Sequence, residues 1–496
     1  METELAALPE DALADVLRAL PSRSLAAARC VCKPWRDVVD TRGLLLPHIL
    51  PHSVRGLFIN YVDYDRPHLF ARPSSPSTIP KIDGRMRFVP KELREWWSVL
   101  DHCNGLLLCH MELMKIELCV CNPATRRWTL LPWRTVARRY EGAYLAFDPV
   151  VSPYYEVFLI PDERKKSEPL YRRRRVAEEE RARLRQQELD APFCVDWFFS
   201  LPEGTAMGVD KEPDHDDPCN SPTEWPPKLW RLDVLSSRTS LWEDRSFVPE
   251  DEQAAGIVQT MELDPLEHSP WLGKRYAVYR LGNLYVCCRG GFVTRFSLSN
   301  HKYKVIQMPA NITDQVPYLG KSEKGVCFGI PHECKLWVWI LNESCGQLEW
   351  VLNCKGDLRH YAQHVGIYSG LVDASWTLEE HNTNVCGTGD IVKTLPKESS
   401  EWDSDNDDTF EVKVGSEEYL VTRFKILGFH PYKDVVFLAE SFTVVAYHLN
   451  NSKIQYLGEA QPEGYCGWTS GTGGSFVYTP CMIGELNDDD TGRSSS

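Results

Sequence analysis

The sequence lacks several features that would mark common classes of protein. Its 17 cysteines include no pair in the C-x-x-C spacing of common zinc sites. Its apolar runs, such as those at 43–46 and 435–439, are far shorter than the roughly 20 residues that cross a bilayer. The N-terminus also lacks the basic and apolar regions of a secretory signal. These absences predict reduced thiols, no membrane partner, and a place in the nucleus, the cytoplasm or both.

Basic charge is also in short supply, since the formal net charge is −15. Nucleic-acid binders gain most of their affinity by neutralising phosphates, so we expect no nucleic-acid partner. The sequence contains none of the short motifs G-x-S-x-G, H-E-x-x-H, G-x-x-x-x-G-K-[ST] or G-x-G-x-x-G. We therefore expect no catalytic residue, no cofactor and no metal in this chain.

What is present begins with a helical pattern in the first 42 residues. Pro9 followed by Glu10 and Asp11 is typical of a helix start, because proline suits the first turn and acids stabilise a helix N-terminus. The apolar spacing predicts three short helices, whose inner faces are Leu13, Val16, Leu17 and Leu20; Leu25, Ala28 and Cys32; and Trp35, Val38 and Val39. Pro21 and Pro34 separate them. So small a core predicts a module that depends on a partner.

From about residue 55 the pattern changes to strands. An apolar strand, a polar turn and a second strand with an aromatic residue recur at 118–132, 229–242, 294–309, 336–352 and 445–458. Repeated hairpins favour the blades of a β-propeller, and the uneven intervals suggest that some blades have diverged beyond recognition. A two-sheet sandwich is the alternative. The predicted fold class is thus α+β: a small three-helix module followed by a large, mostly antiparallel β domain that is propeller-like.

Two segments interrupt the strand pattern. Residues 162–190 mix many basic and acidic residues with few apolar ones, which is typical of a solvated helix or a disordered insert. Within them, Arg172–Arg175 could act as a nuclear-import patch. Residues 397–411 are rich in Ser, Asp and Glu and are predicted to be a disordered acidic loop. Neither segment is expected to contribute to the fold.

The N-terminal pattern resembles the F-box. The residues that carry the resemblance, in the order and spacing of that motif, are Leu8-Pro9-Glu10-Asp11, Leu13, Leu17, Leu20-Pro21, Leu25 and Val31-Cys32-Lys33-Pro34-Trp35-Arg36. The remainder is similar to the F-box-associated domains of large plant F-box families. Its matching pieces are 102–107 (HCNGLL), 122–128 (NPATRRW), 146–149 (AFDP), 336–339 (LWVW), 428–431 (GFHP) and 476–480 (FVYTP).

The resemblance implies where the domains begin and end and what each domain does. It places an F-box domain at 1–45, a linker with the first strands at 46–100, an F-box-associated β domain at 101–485 and a disordered tail at 486–496. An F-box docks on a Skp-family adaptor, which joins it to cullin and RING subunits of a ubiquitin ligase. The β domain would then bind a target protein that the sequence does not identify. Catalytic groups would belong to other subunits.

The resemblance also assigns adaptor contact to particular residues. They are Leu8, Pro9, Leu13, Leu17, Leu20, Pro21, Leu25, Val31, Cys32 and Trp35. We expect Leu13, Leu17 and Val31 to fill the module's own core as well. Leu8, Pro9 and Pro21, which stand at helix starts or ends, are expected to touch the adaptor directly.

Two other functions remain open from the sequence. An F-box-containing interaction protein could act outside a cullin complex, for instance in the nucleus through Arg172–Arg175. A propeller enzyme acting on sugars is permitted by the shape alone, and it would need paired acids in a central pocket.

Overall fold

A computed structural model of the chain describes much of its length. The described residues are 9–20, 22–42, 44, 53–61, 64, 66–73, 82–94, 97–111, 117–132, 140–161, 226–250, 276–288, 291–309, 317–332, 334–344, 347–359, 361, 374–379, 424–463, 465 and 471–482. Several predictions fall outside these residues: the contact residues Leu8 and Pro21, the charged insert 162–190 with Arg172–Arg175, the acidic loop 397–411, and the tail 486–496.

The N-terminal region is helical. It contains α1 (Glu10–Arg18), α2 (Ser22–Ala28) and α3 (Lys33–Thr41). Pro9 is the N-cap of α1, and its carbonyl oxygen accepts the N–H of Leu13 at 3.0 Å. Pro34 lies in the first turn of α3, where its missing N–H costs nothing. None of the helices in the described part of the chain has the length and apolar character needed to cross a bilayer.

A large antiparallel β domain follows. Its first strands are β1 (Gly56–Tyr61), β2 (His68–Ala71), β3 (Trp97–Cys103), β4 (Leu106–Met111), β5 (Glu117–Asn122), β6 (Arg127–Leu130), β7 (Tyr140–Ala146), β8 (Glu156–Pro161), β9 (Trp230–Ser236), β10 (Leu241–Pro249), β11 (Ala277–Arg280) and β12 (Asn283–Cys288). The others are β13 (Phe292–Ser297), β14 (Lys302–Gln307), β15 (Tyr318–Ser322), β16 (Gly325–His332), β17 (Lys335–Ser344), β18 (Gln347–Asp357), β19 (Thr377–Leu378), β20 (Phe424–Phe429), β21 (Val435–Glu440), β22 (Thr443–His448), β23 (Ile454–Glu459) and β24 (Thr472–Tyr478). A 3₁₀ turn, Lys91–Arg94, precedes β3.

These strands form six four-stranded antiparallel blades. Blade 1 has the order β24-β1-β2-β19, and blades 2 to 6 are β3–β6, β7–β10, β11–β14, β15–β18 and β20–β23. Blades 3 and 4 join at their outer edges through a short parallel pairing of β10 with β14. The inner strands β24, β3, β7, β11, β15 and β20 contact one another in that order and close a ring. The expectation of a large, mostly antiparallel, propeller-like domain is confirmed.

The hydrophobic core lies between the blades. Each of six clusters of buried side chains draws on two neighbouring blades, and together they run around the whole ring. In the cluster between blades 4 and 5, for example, Tyr285 and Val293 pack with Phe328 and Leu341. Strands buried on both faces explain the near-continuous apolar runs of the sequence. A two-layer sandwich would have a single core between two sheets, so that alternative is wrong.

The ring closes through blade 1, which combines strands from both ends of the β domain. β24 pairs with β1 from Gly56↔Tyr478 to Tyr61↔Thr472. The buried Asn60 side chain then links β1 to β3, since its amide donates to the Val99 carbonyl at 2.7 Å and accepts the Val99 N–H at 3.0 Å. On the other side, the Ser475 hydroxyl donates to the Leu427 carbonyl of blade 6 at 2.7 Å. The first strands, 56–71, are therefore part of the propeller.

The five predicted hairpins are the outer two strands of blades 2 to 6. The hairpins are β5–β6, β9–β10, β13–β14, β17–β18 and β22–β23. The uneven intervals have a different cause from the one expected. The segment 162–229 separates β8 from β9 within blade 3, and a long segment that includes β19 separates blades 5 and 6. Long insertions, not diverged blades, lengthen those two intervals.

Candidate functional site

The helical module has a small core of its own. Its buried side chains are Leu13, Ala14, Leu17, Leu25, Ala28, Val38, Val39 and Leu44, with Leu20 and Trp35 packed partly against them. Ion pairs at the surface support this core. Arg42 Nη2 lies 2.6 Å from Asp11 of α1, and the Arg29 guanidinium makes two hydrogen bonds with Asp40, at 2.6 and 2.9 Å. The hydrogen bond from Arg29 lowers the pKa of the Asp40 carboxyl.

Several apolar side chains of the module face solvent. Val16 in α1 is 55% exposed and Val31, between α2 and α3, is 65% exposed. Pro9 and Cys32 are also exposed. We call Pro9, Val16, Val31 and Cys32 the exposed apolar set. Isolated apolar residues on a surface are ordinary, so these four are candidates for contact with a partner and no more.

Three expectations about the helical faces are wrong. Val16 does not belong to the buried stripe of α1, and Val31 is not a core residue. Cys32 does not continue the inner face of the second helix, because α2 ends at Ala28 and Cys32 is the extended N-cap of α3. Residues 31 and 32 lie between α2 and α3, so helical periodicity does not decide which way their side chains face. Both side chains turn outward instead.

The ten predicted contact residues thus divide into groups. Leu13, Leu17 and Leu25 are buried in the helical core, so they hold the helices in place. Leu20 and Trp35 are half-buried at its edge. Pro9, Val31 and Cys32 are exposed, while Leu8 and Pro21 lie outside the described residues. Adaptor contact itself stays a prediction for all ten.

A second candidate site lies on the axis of the propeller. A cavity of about 60 Å³ is lined by residues of β3, β11, β15, β24 and the end of β20. Its walls include Tyr276 and Tyr318, whose ring centroids are 4.0 Å apart, and the Tyr318 hydroxyl donates to the Ser475 carbonyl at 3.1 Å. A cavity of this volume has room for a few water molecules.

Burial shifts the pKa values of the ionisable groups around this cavity. Burial raises the pKa of Asp101 to about 8, although its carboxyl accepts the N–H of Leu145 at 2.8 Å. Burial and the nearby charge of Lys321 lower the pKa of His102 to about 4. Burial also raises the pKa of the Cys103 thiol to about 12. All three groups are therefore held neutral near pH 7.

These shifts predict how stability depends on pH. Asp101 has a folded-state pKa above its unfolded value, so its contribution is present below about pH 4 and is lost as pH rises towards 8. The His102 pKa is lowered, so its contribution is present above about pH 6.5 and is lost as pH falls towards 4. Between about pH 4 and 6.5 the contributions of Asp101 and His102 to stability change in opposite directions. The free energy of unfolding should then decline between about pH 6.5 and 8, by at most about 1.4 kcal/mol per unit.

Urea unfolding at pH 6.5 and 8 measures that decline. Asp101→Asn keeps the size of the side chain and removes its titration, so the variant should lose most of the decline. An equal decline in Asp101→Asn and in the unchanged chain would show that Asp101 is not its source.

The cavity also bears on the sugar-processing alternative. A propeller enzyme that acts on sugars requires paired carboxyl groups facing a central pocket. Asp101 is the only acid among the described residues that line the cavity. The arrangement that such an enzyme would need is therefore not found there.

Two of the sequence motifs are turns that hold the ring together. In HCNGLL, Asn104 and Gly105 have φ values of 44° and 90° and form the turn between β3 and β4. The Asn104 amide donates to the Phe147 carbonyl of blade 3 at 2.6 Å. In NPATRRW, the fully buried Asn122 accepts the N–H of Ala124 and donates to the Cys481 carbonyl at 2.9 Å. These motifs therefore fasten neighbouring parts of the domain.

Comparison with known proteins identifies the helical module. Residues 5–46 match the family model described as F-box-like. Two relatives are the Arabidopsis thaliana F-box proteins At2g23160 and At1g52495, each 24% identical over 166 residues, or 30% and 31% of this chain. A third relative from that plant, provisionally named an F-box protein, is 28% identical over 156 residues, or 30% of this chain. The matched parts span 53%, 38% and 41% of these relatives.

The chain therefore carries an F-box-like domain at its N-terminal end. Over about 30% of its length it is similar to F-box proteins of Arabidopsis thaliana. Among solved structures, it is similar to prolyl oligopeptidase B from Galerina marginata, at 9% identity over 83% of this chain and 41% of that one, with a TM-score of 0.30. It is also similar to the WD40 domain of SCAP from fission yeast, at 10% identity over 82% of this chain and 84% of that one, with a TM-score of 0.26. Likenesses this distant say nothing further about the chain.

Proposed function

We propose that this chain is the target-receptor subunit of an SCF-type cullin–RING ubiquitin ligase. Its helical module docks on a Skp-family adaptor, and its propeller binds the protein to be ubiquitylated. The catalytic thiol and the zinc sites belong to other subunits, and the chain contributes proximity between the target and the charged ubiquitin. It does this work in the nucleus, the cytoplasm or both.

The observation that supports docking most strongly is the exposed apolar set on the F-box-like module. Val16 and Val31 keep half or more of their surface in water. Each apolar side chain that an adaptor covers contributes about 1.5–3 kcal/mol before the costs of ordering are subtracted. The buried Leu13, Leu17 and Leu25 keep the helices in the arrangement that presents this set.

Proximity labelling in plant cells tests the proposal. The full chain and a form lacking residues 1–46 are each fused to a labelling enzyme, and the labelled proteins are identified by mass spectrometry. We expect adaptor, cullin and RING subunits with the full chain only, and a shared set of further proteins that accumulates with the truncated form. Equal labelling of the ligase subunits by both forms would refute the docking role. Adaptor without cullin would favour an F-box protein that acts outside the ligase.

A further inference from the structure

The outer edge of blade 5 differs from the outer edges of the other blades. Its last strand, β18, has 11 residues, and β17 pairs with it along one side. Among the strands of the described residues, none pairs with its other side. In an antiparallel sheet every second residue of an edge strand directs its N–H and C=O groups outward. The outer edge of β18 therefore presents backbone donors and acceptors that a further strand can bind.

The outer edges of the other blades are short, charged or covered. β19 of blade 1 has two residues and β6 of blade 2 has four. β10 and β14 pair with each other at one end, and they carry charges at 243–245 and at Lys302 and Lys304. In blade 6 the N–H of Trp376 donates to the Leu457 carbonyl of β23 at 2.8 Å. Proteins commonly protect their edge strands by these means.

The centre of β18 has none of these protections. Residues 350–354 carry no charge. Val351 is 48% exposed and Leu352 is 47% exposed, and as consecutive residues of a strand they face opposite sides of the sheet. Lys355 is drawn towards its own blade, because its amine lies over the Trp337 ring, 4.2 Å from the centroid. The edge is therefore open to another strand.

The size and charge of this edge select the kind of partner. The pairing of β17 with β18 shifts register at Asn353, so the regular edge is 347–352, which is roughly 20 Å long. Two copies of this chain that paired along it would bury roughly 400 Å², well below the roughly 1,200 Å² of stable complexes. Each copy would also bring a formal net charge of −15. The edge therefore fits one extended segment of another protein.

The two faces of the regular edge define the side chains that such a segment needs. Leu348 and Trp350 pack partly against the core between blades 4 and 5, and Leu352 continues the same face. Apolar residues opposite these three would extend that face. Glu349 is exposed on the other face, where an opposite charge directly across contributes about 0.2–1 kcal/mol. The complementary segment has apolar residues at alternate positions and a basic residue between two of them.

We propose that β18 binds an extended segment of the target protein, which adds to blade 5 as a fifth, antiparallel strand. Main-chain hydrogen bonds supply the affinity, and the alternating side chains supply the selectivity. Antiparallel pairing is the more stable arrangement per residue. This inference rests on the proposed function for its meaning, since it names how the propeller holds its target. The binding itself can be measured without any adaptor.

The first test uses the full chain and a fluorescent peptide, acetyl-TVTVKVT-amide, whose last six residues would lie opposite residues 352 to 347. Fluorescence anisotropy measures its Kd. Two further peptides carry N-methyl groups, one at the three valines and the other at the lysine and the last two threonines. Alternate N–H groups of an added strand point away from β18. One methylated peptide should therefore bind at least about tenfold more weakly, and the other should change by less than about threefold. Equal effects of the two sets would overturn the proposal.

Substitutions in the chain test the position of the peptide. V351K/L352K should raise Kd at least about tenfold, whereas the matched control L241K/V248K, which changes two exposed residues of the outer strand of blade 3, should not. E349K should weaken binding at least about threefold, and acetyl-TVTVEVT-amide should restore it. Unchanged binding by V351K/L352K would overturn the proposal, and failure of the charge exchange would overturn the register.

Two measurements on the unchanged chain guard against misfolding of the variants. Hydrogen exchange followed by mass spectrometry should show that the peptide protects 347–352 but not 241–247, and no protection at 347–352 would contradict the proposal. Sedimentation should show a monomer. A dimer that V351K/L352K dissociates would overturn the assignment to a target segment and give the edge to a second copy. Removal of residues 1–46 should leave peptide binding unchanged, so failure of adaptor docking and failure of this site are distinguishable.

Discussion

Val16→Asp combined with Val31→Asp should abolish binding of a Skp-family adaptor to this chain. Each valine is largely exposed in the free chain, and each would be covered in the complex. The double change removes about 2–4 kcal/mol of apolar burial and also adds two charges that must lose water, so we expect Kd to rise about a thousandfold or more. Titration calorimetry with purified adaptor measures the loss.

The chain offers a matched control for this pair. Val151 is 80% exposed and lies in the turn between β7 and β8, far along the sequence from the helical module. Val151→Asp should leave the Kd unchanged. Circular dichroism should show the same thermal transition for all three proteins, because none of the substituted side chains is buried. Unchanged binding by the double variant would place the docking surface elsewhere on the module.

Removal of β24 should prevent the β domain from folding. Truncation before Thr472 takes away the strand that pairs with β1 and closes the ring. It also removes Phe476, Val477 and Tyr478, which are all buried and belong to the clusters on both sides of blade 1. Burial of these three side chains contributes about 5–9 kcal/mol, which is comparable to the whole stability of a domain.

Urea unfolding followed by tryptophan fluorescence measures this effect. The truncated chain should show no cooperative transition, since Trp97 and Trp376 lie in the clusters that border blade 1. A chain that ends after residue 484 keeps β24 and Cys481, and it should unfold like the full protein. A cooperative transition of normal size in the shorter truncation would show that the ring does not depend on its closing strand.

The blades could be predicted from the sequence only where their strands are neighbours along the chain. The outer strands of blades 2 to 6 are hairpins, and a short turn between two apolar strands leaves a clear pattern. In blade 1 only β1 and β2 are neighbours along the chain, whereas β2 pairs with β19 and β1 pairs with β24. Nothing local marks a pairing between such distant segments.

In the helical module, too, the sequence predicts only features that depend on neighbouring residues. Pro9 and Pro34 correctly indicated where helices begin, because proline acts on its own neighbours. The exposure of Val31 could not be predicted, since it depends on α2 ending three residues earlier. Periodicity assigns a residue to a face only while the helix continues.

A pocket between blades 1 and 2 is lined by Arg66, Arg85, Arg87 and Arg94, and it could not be anticipated from the sequence. Arg66, Arg85 and Arg94 come from the approach to β2, a turn and a 3₁₀ segment, with no regular spacing among them. They meet because blades 1 and 2 pack together through Phe58, Leu69 and Trp97. Charge clusters that assemble from loops become visible only when the packing of the elements beneath them is known.

Co-elution with purified ligase subunits tests the central claim most directly. The full chain is mixed with a Skp-family adaptor and a cullin–RING pair and analysed by size-exclusion chromatography. We predict a single complex that contains all the subunits, with none formed by the chain carrying Leu8→Ala and Pro9→Ala, whose propeller should keep its normal unfolding transition. Elution of the full, folded chain apart from the adaptor would contradict the account.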